Sequence, residues 1–461
     1  MRKLFGTDGI RGIAGEYPLD ERTIFVIGRA LGHHLLKSYA APRVVIGQDT
    51  RESSQWIANA IARGLTAHGV NVASAGVLTT PGIACLARTQ GFAAGVVVSA
   101  SHNPWRDNGI KIFASDGYKL PDEVELEIEH EIFSHLNRPA SDPARAAPLG
   151  RSLLPGDRRL AEAYMDWLAG NIAGADITRI KAIVDCANGA ATPIAHEVFR
   201  RCGVEATFIH DEPDGRNIND HCGALYPEVV AAALRRGNSE SRKPRYALGI
   251  TFDGDADRAL FADDEGNVVN GDAILLLAAR SLQQRGQLSS NLVVATTMSN
   301  MGLEIALRDS GIRLLRAPVG DKYVLEEMRR SGAVLGGEQS GHIIFRDGDA
   351  TTGDGLLTAL RVMAKMAWAG RGLRELTADL RVFPQIIQNV RVREKKPLEE
   401  VPAVAAAIRA AESELDGNGR IVVRYSGTEP LARVMVEAGD ENKMKRLADS
   451  IAEAIRKALG S

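Results

Sequence analysis

The 461-residue sequence contains no run of 18 uncharged apolar residues, so no helical membrane span is expected. It has no excess of either charge, with 56 Lys and Arg against 58 Asp and Glu and a formal net charge of −2. That balance argues against a polybasic nucleic-acid binder and against a protein held to membranes by charge. Cysteine is scarce: Cys85, Cys186, Cys202 and Cys222 are scattered, with no C-x-x-C pair. Neither a disulfide framework nor a thiolate zinc site is expected, and a reducing cytoplasm is the natural compartment. Residues Met1 to Gly6 offer no apolar stretch of the signal-peptide kind. The chain has no G-K-[ST] and no G-x-G-x-x-G after a strand, so neither a nucleotide P-loop nor a dinucleotide turn is expected. His130 and Glu131 begin a zinc-protease pattern, but His135 follows five positions after His130 instead of four, and the pair reads as a solvated helix surface.

What is present is the composition of a globular protein of three or four domains, 45% apolar and 25% charged. Glycine is in mild excess at 46 residues, pointing to tight turns and close backbone approaches to ligands. Apolar runs such as Val44–Ile46, Val96–Val98, Ala182–Val184 and Leu292–Val294 suit strands buried on both faces of largely parallel sheets. Three strands run into a polar loop and then a helix, near 46–50, 184–189 and 295–300, which suggests three similarly built α/β units. Four prolines within 138–157 mark a linker, helical periodicity resumes at Arg159–Leu168, and the charged stretch 237–245 reads as a surface loop. After the helix at 356–369 the pattern changes at Phe383-Pro384 to strand, helix, strand, strand, helix, a compact α+β unit. The expected domains are 1–150, 151–257, 258–372 and 373–461: three α/β domains with mixed sheets and a smaller α+β C-terminal domain.

Four loops carry chemistry. Ser99-Ala100-Ser101-His102-Asn103-Pro104 leaves an apolar strand; Ser101, with His102 beside it and Lys111 beyond, fits a nucleophile or phosphate carrier, and equally a plain serine turn. Asp253-Gly254-Asp255-Ala256-Asp257-Arg258 sets three carboxylates at alternate positions, able to converge on a hard cation. It is no EF-hand, because Arg258 stands at the glycine position, Asp264 at the final glutamate and a strand precedes it. In Gly336-Gly337-Glu338-Gln339-Ser340-Gly341-His342, Glu338 and Ser340 suit a polyhydroxylated ligand and His342 suits proton transfer, although a hairpin turn explains the loop as well. Arg424-Tyr425-Ser426-Gly427-Thr428-Glu429-Pro430, followed by Arg433, offers a guanidinium fork, hydroxyls and an amide nest for phosphate. A phosphorylated serine, three Asp and a phosphate ester in one cleft require a divalent ion and cations such as Arg11, Lys111, Arg258, Arg424 and Arg433.

In this order the four loops resemble the α-D-phosphohexomutase superfamily over essentially the whole chain. Supporting strings are Phe5-Gly6-Thr7-Asp8-Gly9-Ile10-Arg11-Gly12, Asp107-Asn108-Gly109-Ile110-Lys111 after the Ser101 loop, and Gly320-Asp321-Lys322-Tyr323-Val324. These strings are most similar to the aminosugar branch; hexose-phosphate relatives open with a shorter motif and carry histidine where Asp321 stands. Lys322 stands where close relatives have Arg, Tyr425 where they often have Lys, and Ala256 where many have Gly. The resemblance implies four domains around a cleft and a hexosamine phosphate as substrate. It also implies transfer of phosphate from phosphorylated Ser101 through a sugar 1,6-bisphosphate, supplying amino-sugar nucleotide and cell-wall precursor synthesis. It further implies one Mg²⁺ held by Asp253, Asp255, Asp257 and the phosphoserine. Sugar contacts would come from Glu338 and Ser340, with Lys322 near the substrate. The non-reacting phosphate would be held by Arg424, Ser426, Gly427, Thr428 and Arg433. Charge stabilisation and proton handling fall to Arg11 and Lys111, with His102 and His342. A monomer or homodimer, no nucleic acid, no membrane and a C-terminal lid are the associated expectations. Alternatives are a phosphomannomutase/phosphoglucomutase, a sugar-phosphate phosphatase, and an inactive sugar-phosphate-binding protein.

Overall fold

The computed structural model describes residues 4–6, 8–137, 155–240, 245–348, 350–416, 419–426 and 430–460. Four sheets organise them. The first contains β1 (Ile10–Ile13), β2 (Arg43–Gln48), β3 (Asn71–Val77), β4 (Ala94–Val98) and β5 (Asp107–Ala114) in the order β1-β5-β4-β2-β3. The second contains β6 (Lys181–Asp185), β7 (Glu205–Ile209), β8 (Leu248–Phe252), β9 (Ala259–Ala262) and β10 (Val268–Val269) in the order β10-β9-β8-β6-β7. The third has β11 (Leu292–Thr296), β12 (Arg313–Ala317), β13 (Leu335–Gly337) and β14 (Ile343–Phe345) in the order β12-β11-β13-β14. The small fourth sheet is antiparallel, β15 (Gln385–Arg391), β17 (Leu431–Ala438) and β16 (Gly419–Tyr425), with helices Pro402–Leu415 and Glu441–Leu459 packed beside it.

The three larger sheets share one device. Each has a parallel core whose last strand turns back into an antiparallel neighbour, β4 into β5, β8 into β9 and β13 into β14. The Ser101, Asp253 and Glu338 loops are those three turns. Repetition of one local design therefore presents all three loops at the carboxyl ends of parallel strands, where α/β sheets bind ligands.

The apolar runs form strands buried on both faces: every residue of β4, β8 and β11 is buried. At roughly 1.5–3 kcal/mol per buried Val, Ile or Leu side chain, these runs anchor the loops that follow them. Against β2 and β4, Gly47 and Gly95 leave room for Ile83; a Cβ at either would lie 2.4 and 2.9 Å from that side chain. The helix Thr80–Thr89 can thus press onto the sheet, which brings its first residue, Thr80, to the Asp255 loop.

The chain divides into two compact units, Met1–Thr296 with Leu315–Thr377, and Thr297–Leu314 with Ala378–Ser461. In the second, buried Glu437 of β17 accepts the Met301 N–H at 2.7 Å and binds Arg420, fastening helix Met301–Asp309 to the fourth sheet.

The expected surface loop at 237–245 is corrected in part. The helix Pro227–Glu240 runs through its first four residues. Asn238 holds it there, accepting from the Tyr246 N–H at 2.7 Å and donating to the carbonyls of Tyr246 and Asp264. Most of the expected linker, 138–154, lies outside the described residues. His130 is exposed, as read, but His135 is half-buried beside Glu131, 3.0 Å away, so the surface reading holds for the first histidine alone. Among the described residues no helix is long and apolar enough to cross a membrane.

Candidate active site

Ser101 sits just beyond buried β4 with φ of +53°, a left-handed conformation that costs a serine about 1 kcal/mol or more. Fixed polar partners hold it. Its N–H donates to Ser99 Oγ at 3.0 Å, and its carbonyl accepts from Arg51 Nη2 at 3.1 Å and Asn219 Nδ2 at 3.0 Å. Arg51 is in turn paired with Asp49, both side chains fully buried. Gly254 closes over the same carbonyl, leaving no space for a side chain: a Cβ there would lie 2.5 Å from it. So constrained, the Ser101 hydroxyl donates to Asp253 Oδ2 at 2.5 Å.

Asp253, Asp255 and Asp257 are all buried, and one carboxylate oxygen from each lies within 4.8 Å of the others. Burial first, and then the charges of Asp257 and Asp255, push the Asp253 carboxyl well above its usual range. For Asp257 burial acts upward too, but His342, Lys111 and Arg258 outweigh it and the carboxyl lies well below its usual value. Asp255 accepts from Lys111 Nζ at 2.8 Å and Thr80 Oγ1 at 2.5 Å through one oxygen. The other oxygen of Asp255 and one oxygen of Asp257 are buried and accept no hydrogen bond from the described residues. Buried acceptors without donors are costly unless something completes them. An all-oxygen set of three converging carboxylates with two unfilled acceptors fits a hard divalent cation such as Mg²⁺.

Behind the triad lies a web of cations. Lys111, 1% exposed, reaches Asp255 at 2.8 Å, Asp8 at 3.2 Å and Asp257 at 3.8 Å. Burial disfavours its charge, but the three carboxylates win and its pKa is raised. Lys119 bridges Asp8 and Asp321, 2.6 Å from each, and is raised in the same way. Arg11, on β1, pairs with Asp8 and donates to Asn103 Oδ1 at 3.2 Å, steadying the Ser101 loop. Arg258 gives its backbone N–H to Asp253 Oδ1 at 3.2 Å, and its guanidinium is held charged, against burial, by Asp257, Asp253 and Glu338.

The two histidines differ. His102 Nδ1 is 3.4 Å from Ser101 Oγ; burial, with Arg258 and Arg11 nearby, lowers its pKa to about 4, so it is neutral near pH 7. His342 is buried, and its Nε2 accepts the Gly353 N–H at 2.9 Å, which places the ring proton on Nδ1, 3.6 Å from Asp257. Burial disfavours its cation, while Asp257, Asp321 and Glu338 favour it and raise its pKa.

Glu338 is nearly buried and accepts the Gly320 N–H at 3.2 Å, whereas Ser340 is exposed. Lys322 pairs with Asp122 on the rim of a 280 Å³ cavity that Tyr118, Lys119, Asp321 and Arg329 also line. In the second unit, Arg424 and Arg433 stand opposite each other on β16 and β17. Burial and the Arg433 charge lower the pKa of Arg424. Buried Ser426 follows, its carbonyl accepting from Lys395 Nζ at 2.6 Å. Gly427 and Thr428 lie outside the described residues.

Residues 2–138 match phosphoglucomutase/phosphomannomutase alpha/beta/alpha domain I, 162–266 domain II, 270–383 domain III and 388–454 the C-terminal domain. The chain belongs to the phosphoglucomutase/phosphomannomutase family. A phosphoglucosamine mutase of Koribacter versatilis is 61% identical over 460 residues, covering all of this chain and 98% of that protein. One from Solibacter usitatus is 50% identical, covering all of this chain and 99% of that protein. Among solved structures, a phosphoglucomutase/phosphomannomutase family protein of Burkholderia thailandensis shares the fold, with a TM-score of 0.79 at 24% identity. That match covers 99% of this chain and 98% of that one.

Several parts of this phosphoglucomutase/phosphomannomutase site escape sequence reading. Asp49, Arg51, Thr80, Lys119 and Asn219 touch the Ser101 and Asp255 loops or their cationic web, yet none stands in a recognisable motif. Lys119 and Asp8 had one available signal, their closeness in sequence to Lys111 and Arg11. Arg51 and Asn219 had none, since the contact exists only once separate strand ends are brought side by side.

Proposed function

We propose that this chain, phosphorylated on Ser101, interconverts glucosamine 6-phosphate and glucosamine 1-phosphate through a sugar 1,6-bisphosphate. The observation that carries the chemistry is the Ser101 hydroxyl fixed 2.5 Å from Asp253, beside two buried carboxylate oxygens with no donor among the described residues. The aminosugar rests on likeness to full-length phosphoglucosamine mutases up to 61% identical.

We assign Asp253, Asp255 and Asp257, with the phosphoserine, to a Mg²⁺ ion. Bound there, the ion neutralises charge on the transferring phosphoryl group. Lys111 offsets the mutual repulsion of the carboxylates around it and stays protonated, so it stabilises charge and does not act as a base. Arg11 and Arg258 supply further positive charge beside the Ser101 loop. His102, neutral near pH 7 and 3.4 Å from Ser101 Oγ, is suited to accept the proton of the attacking sugar hydroxyl. His342 has both ring nitrogens occupied within the protein, and we assign it to positioning Asp257. Glu338, backed by the Gly320 amide, and Ser340 meet sugar hydroxyls; Lys322 is released from Asp122 when substrate binds. Arg424, Ser426, Gly427, Thr428 and Arg433 hold the non-reacting phosphate. The bisphosphate turns over once, and its other phosphate returns to Ser101. The four cysteines are free thiols, in keeping with a cytoplasmic enzyme.

Turnover should be highest on glucosamine 6-phosphate when compared with glucose 6-phosphate and mannose 6-phosphate under a trace of bisphosphate. Preference for either hexose would end the aminosugar assignment. Phosphosite mapping should place a single phosphate on Ser101, and phosphate on another residue would end the mechanism. Chelation should abolish turnover, with Mg²⁺ restoring it.

A further inference from the structure

Two groups of three metal-ligating side chains come together among the described residues, and the Asp253 triad is only one of them. The second is Asp185, His210 and Cys222, which offer one ligand atom each, all within 4.8 Å of one another. The three residues come from separate pieces of the second sheet's carboxyl edge. Asp185 ends β6, His210 follows β7, and Cys222 belongs to the loop 210–223. No sequence spacing announces the group, because 25 residues separate Asp185 from His210 and 12 separate His210 from Cys222.

Asp185 is fully buried, accepting the Ala187 N–H at 2.9 Å through one oxygen and the Gly223 N–H at 3.0 Å through the other. His210 takes a left-handed backbone conformation, φ +48°, and Nδ1 lies 3.1 Å from Asp185 Oδ1. Cys222 is fully buried, and the imidazole, 34% exposed, is the group's one opening to solvent. One carboxylate, one imidazole and one thiol form a mixed hard-soft donor set. Mg²⁺ takes oxygen ligands and disfavours such a set, whereas Zn²⁺ takes all three donor types, with water as a fourth ligand.

We propose that Asp185, His210 and Cys222 form a second metal site, selective for Zn²⁺ over Mg²⁺, which lowers turnover when filled. On binding, the Cys222 thiol loses its proton to solvent and a Zn–S bond forms; His210 binds as the neutral imidazole. The consequence reaches Ser101 through the same loop. Asn219, three residues before Cys222, donates to the carbonyls of Ser101 and Asn103 at 3.0 and 3.3 Å. Drawing Cys222 and His210 onto an ion shifts the loop that carries Asn219, and with it the left-handed turn that aims the Ser101 hydroxyl.

Co²⁺ serves as the probe, because thiolate coordination gives a sulfur-to-cobalt charge-transfer band that the all-oxygen Asp253 triad cannot produce. With Mg²⁺ in excess, the full-length protein should bind one equivalent of Co²⁺ and develop that band, and one equivalent of Zn²⁺ should displace the Co²⁺ and abolish it. Cys222→Ser should lose the band, and His210→Ala should weaken Zn²⁺ binding tenfold or more. His210→Ala changes a partly exposed side chain, so it keeps the test open should Cys222→Ser fail to fold. Zn²⁺ at saturation should cut wild-type turnover at least fivefold, with His210→Ala largely resistant. Absence of the band, unchanged Zn²⁺ affinity in His210→Ala, or equal inhibition of wild type and variant would each overturn the proposal. None of those results bears on whether the Mg²⁺-loaded protein is a mutase.

Discussion

The Ser101–Asp253 cluster and the Arg424–Arg433 pair are both assigned to phosphate, yet they are built on opposite principles. In the first, Asp8, Asp255, Asp257 and Asp321 are interleaved with Lys111, Lys119 and Arg258, and nearly every charge has an opposite neighbour. In the second, two guanidinium groups face each other across neighbouring strands, and burial with mutual repulsion lowers the Arg424 pKa. A compensated cluster can be rigid without ligand and is suited to positioning a reaction. Two guanidinium forks side by side present several donors to an anion and are suited to gripping and releasing it.

That contrast can be broken most severely at Ser101. Ser101→Ala should lower mutase turnover by roughly 10⁴-fold or more, with an unchanged circular dichroism spectrum. A residual rate within tenfold of wild type would remove Ser101 from the mechanism. Lys111→Met strikes the compensated cluster by stranding Asp255 and Asp257, and should cost about 3–5 kcal/mol in urea unfolding as well as activity. Equal stability would mean that the web is not what holds these carboxylates together.

A pH series tests the same half of the molecule. Asp354, buried and hydrogen-bonded to Tyr164, has its pKa raised to about 6, chiefly by burial. An acid raised in the folded state binds its proton more tightly than the unfolded chain does. Its contribution to stability is therefore greatest below pH 4 and is lost as pH rises through about 6. The loss amounts to about 3 kcal/mol from a pKa difference of this size. Asp354→Asn, which keeps the helix cap, should flatten that part of the stability–pH curve; an unaltered slope would assign it elsewhere. Smallest in stability is Arg424→Ala. It should raise KM for the sugar phosphate by about tenfold to a hundredfold, as expected for losing a charged hydrogen bond, while the urea midpoint stays level or rises. A marked fall in that midpoint would make the arginine pair structural.

Much of the fold was legible because strands such as β4 and β8 are buried on both faces and read as unbroken Val and Ile runs. The loops were legible because Asp, Gly, Ser and Pro cluster where an apolar run stops. The charge web was not, and the reason is physical. Lys119 meets Asp321 across 202 residues and Arg51 meets Ser101 across 50, and single-chain periodicity carries no information on which strand ends become neighbours. The helix that extends through Ser239 and Glu240 was hidden in the same way, its polar residues being held by Tyr246 and Asp264 after a turn in the chain. The Asp185–His210–Cys222 group shows it most plainly, since its three side chains meet only where separate strand ends lie side by side.

Lys119 sets a limit on modularity. Its ammonium group is shared between Asp8 of the first family segment and Asp321 of the third, while Lys111, also in the first, leans on Asp255 and Asp257 from the second. Cut out alone, the first segment would keep Lys111 and Lys119 with Asp8 as their common carboxylate. Exchange of single segments between relatives is therefore constrained by charge as much as by shape: a grafted first segment needs acids waiting for it in the second and third.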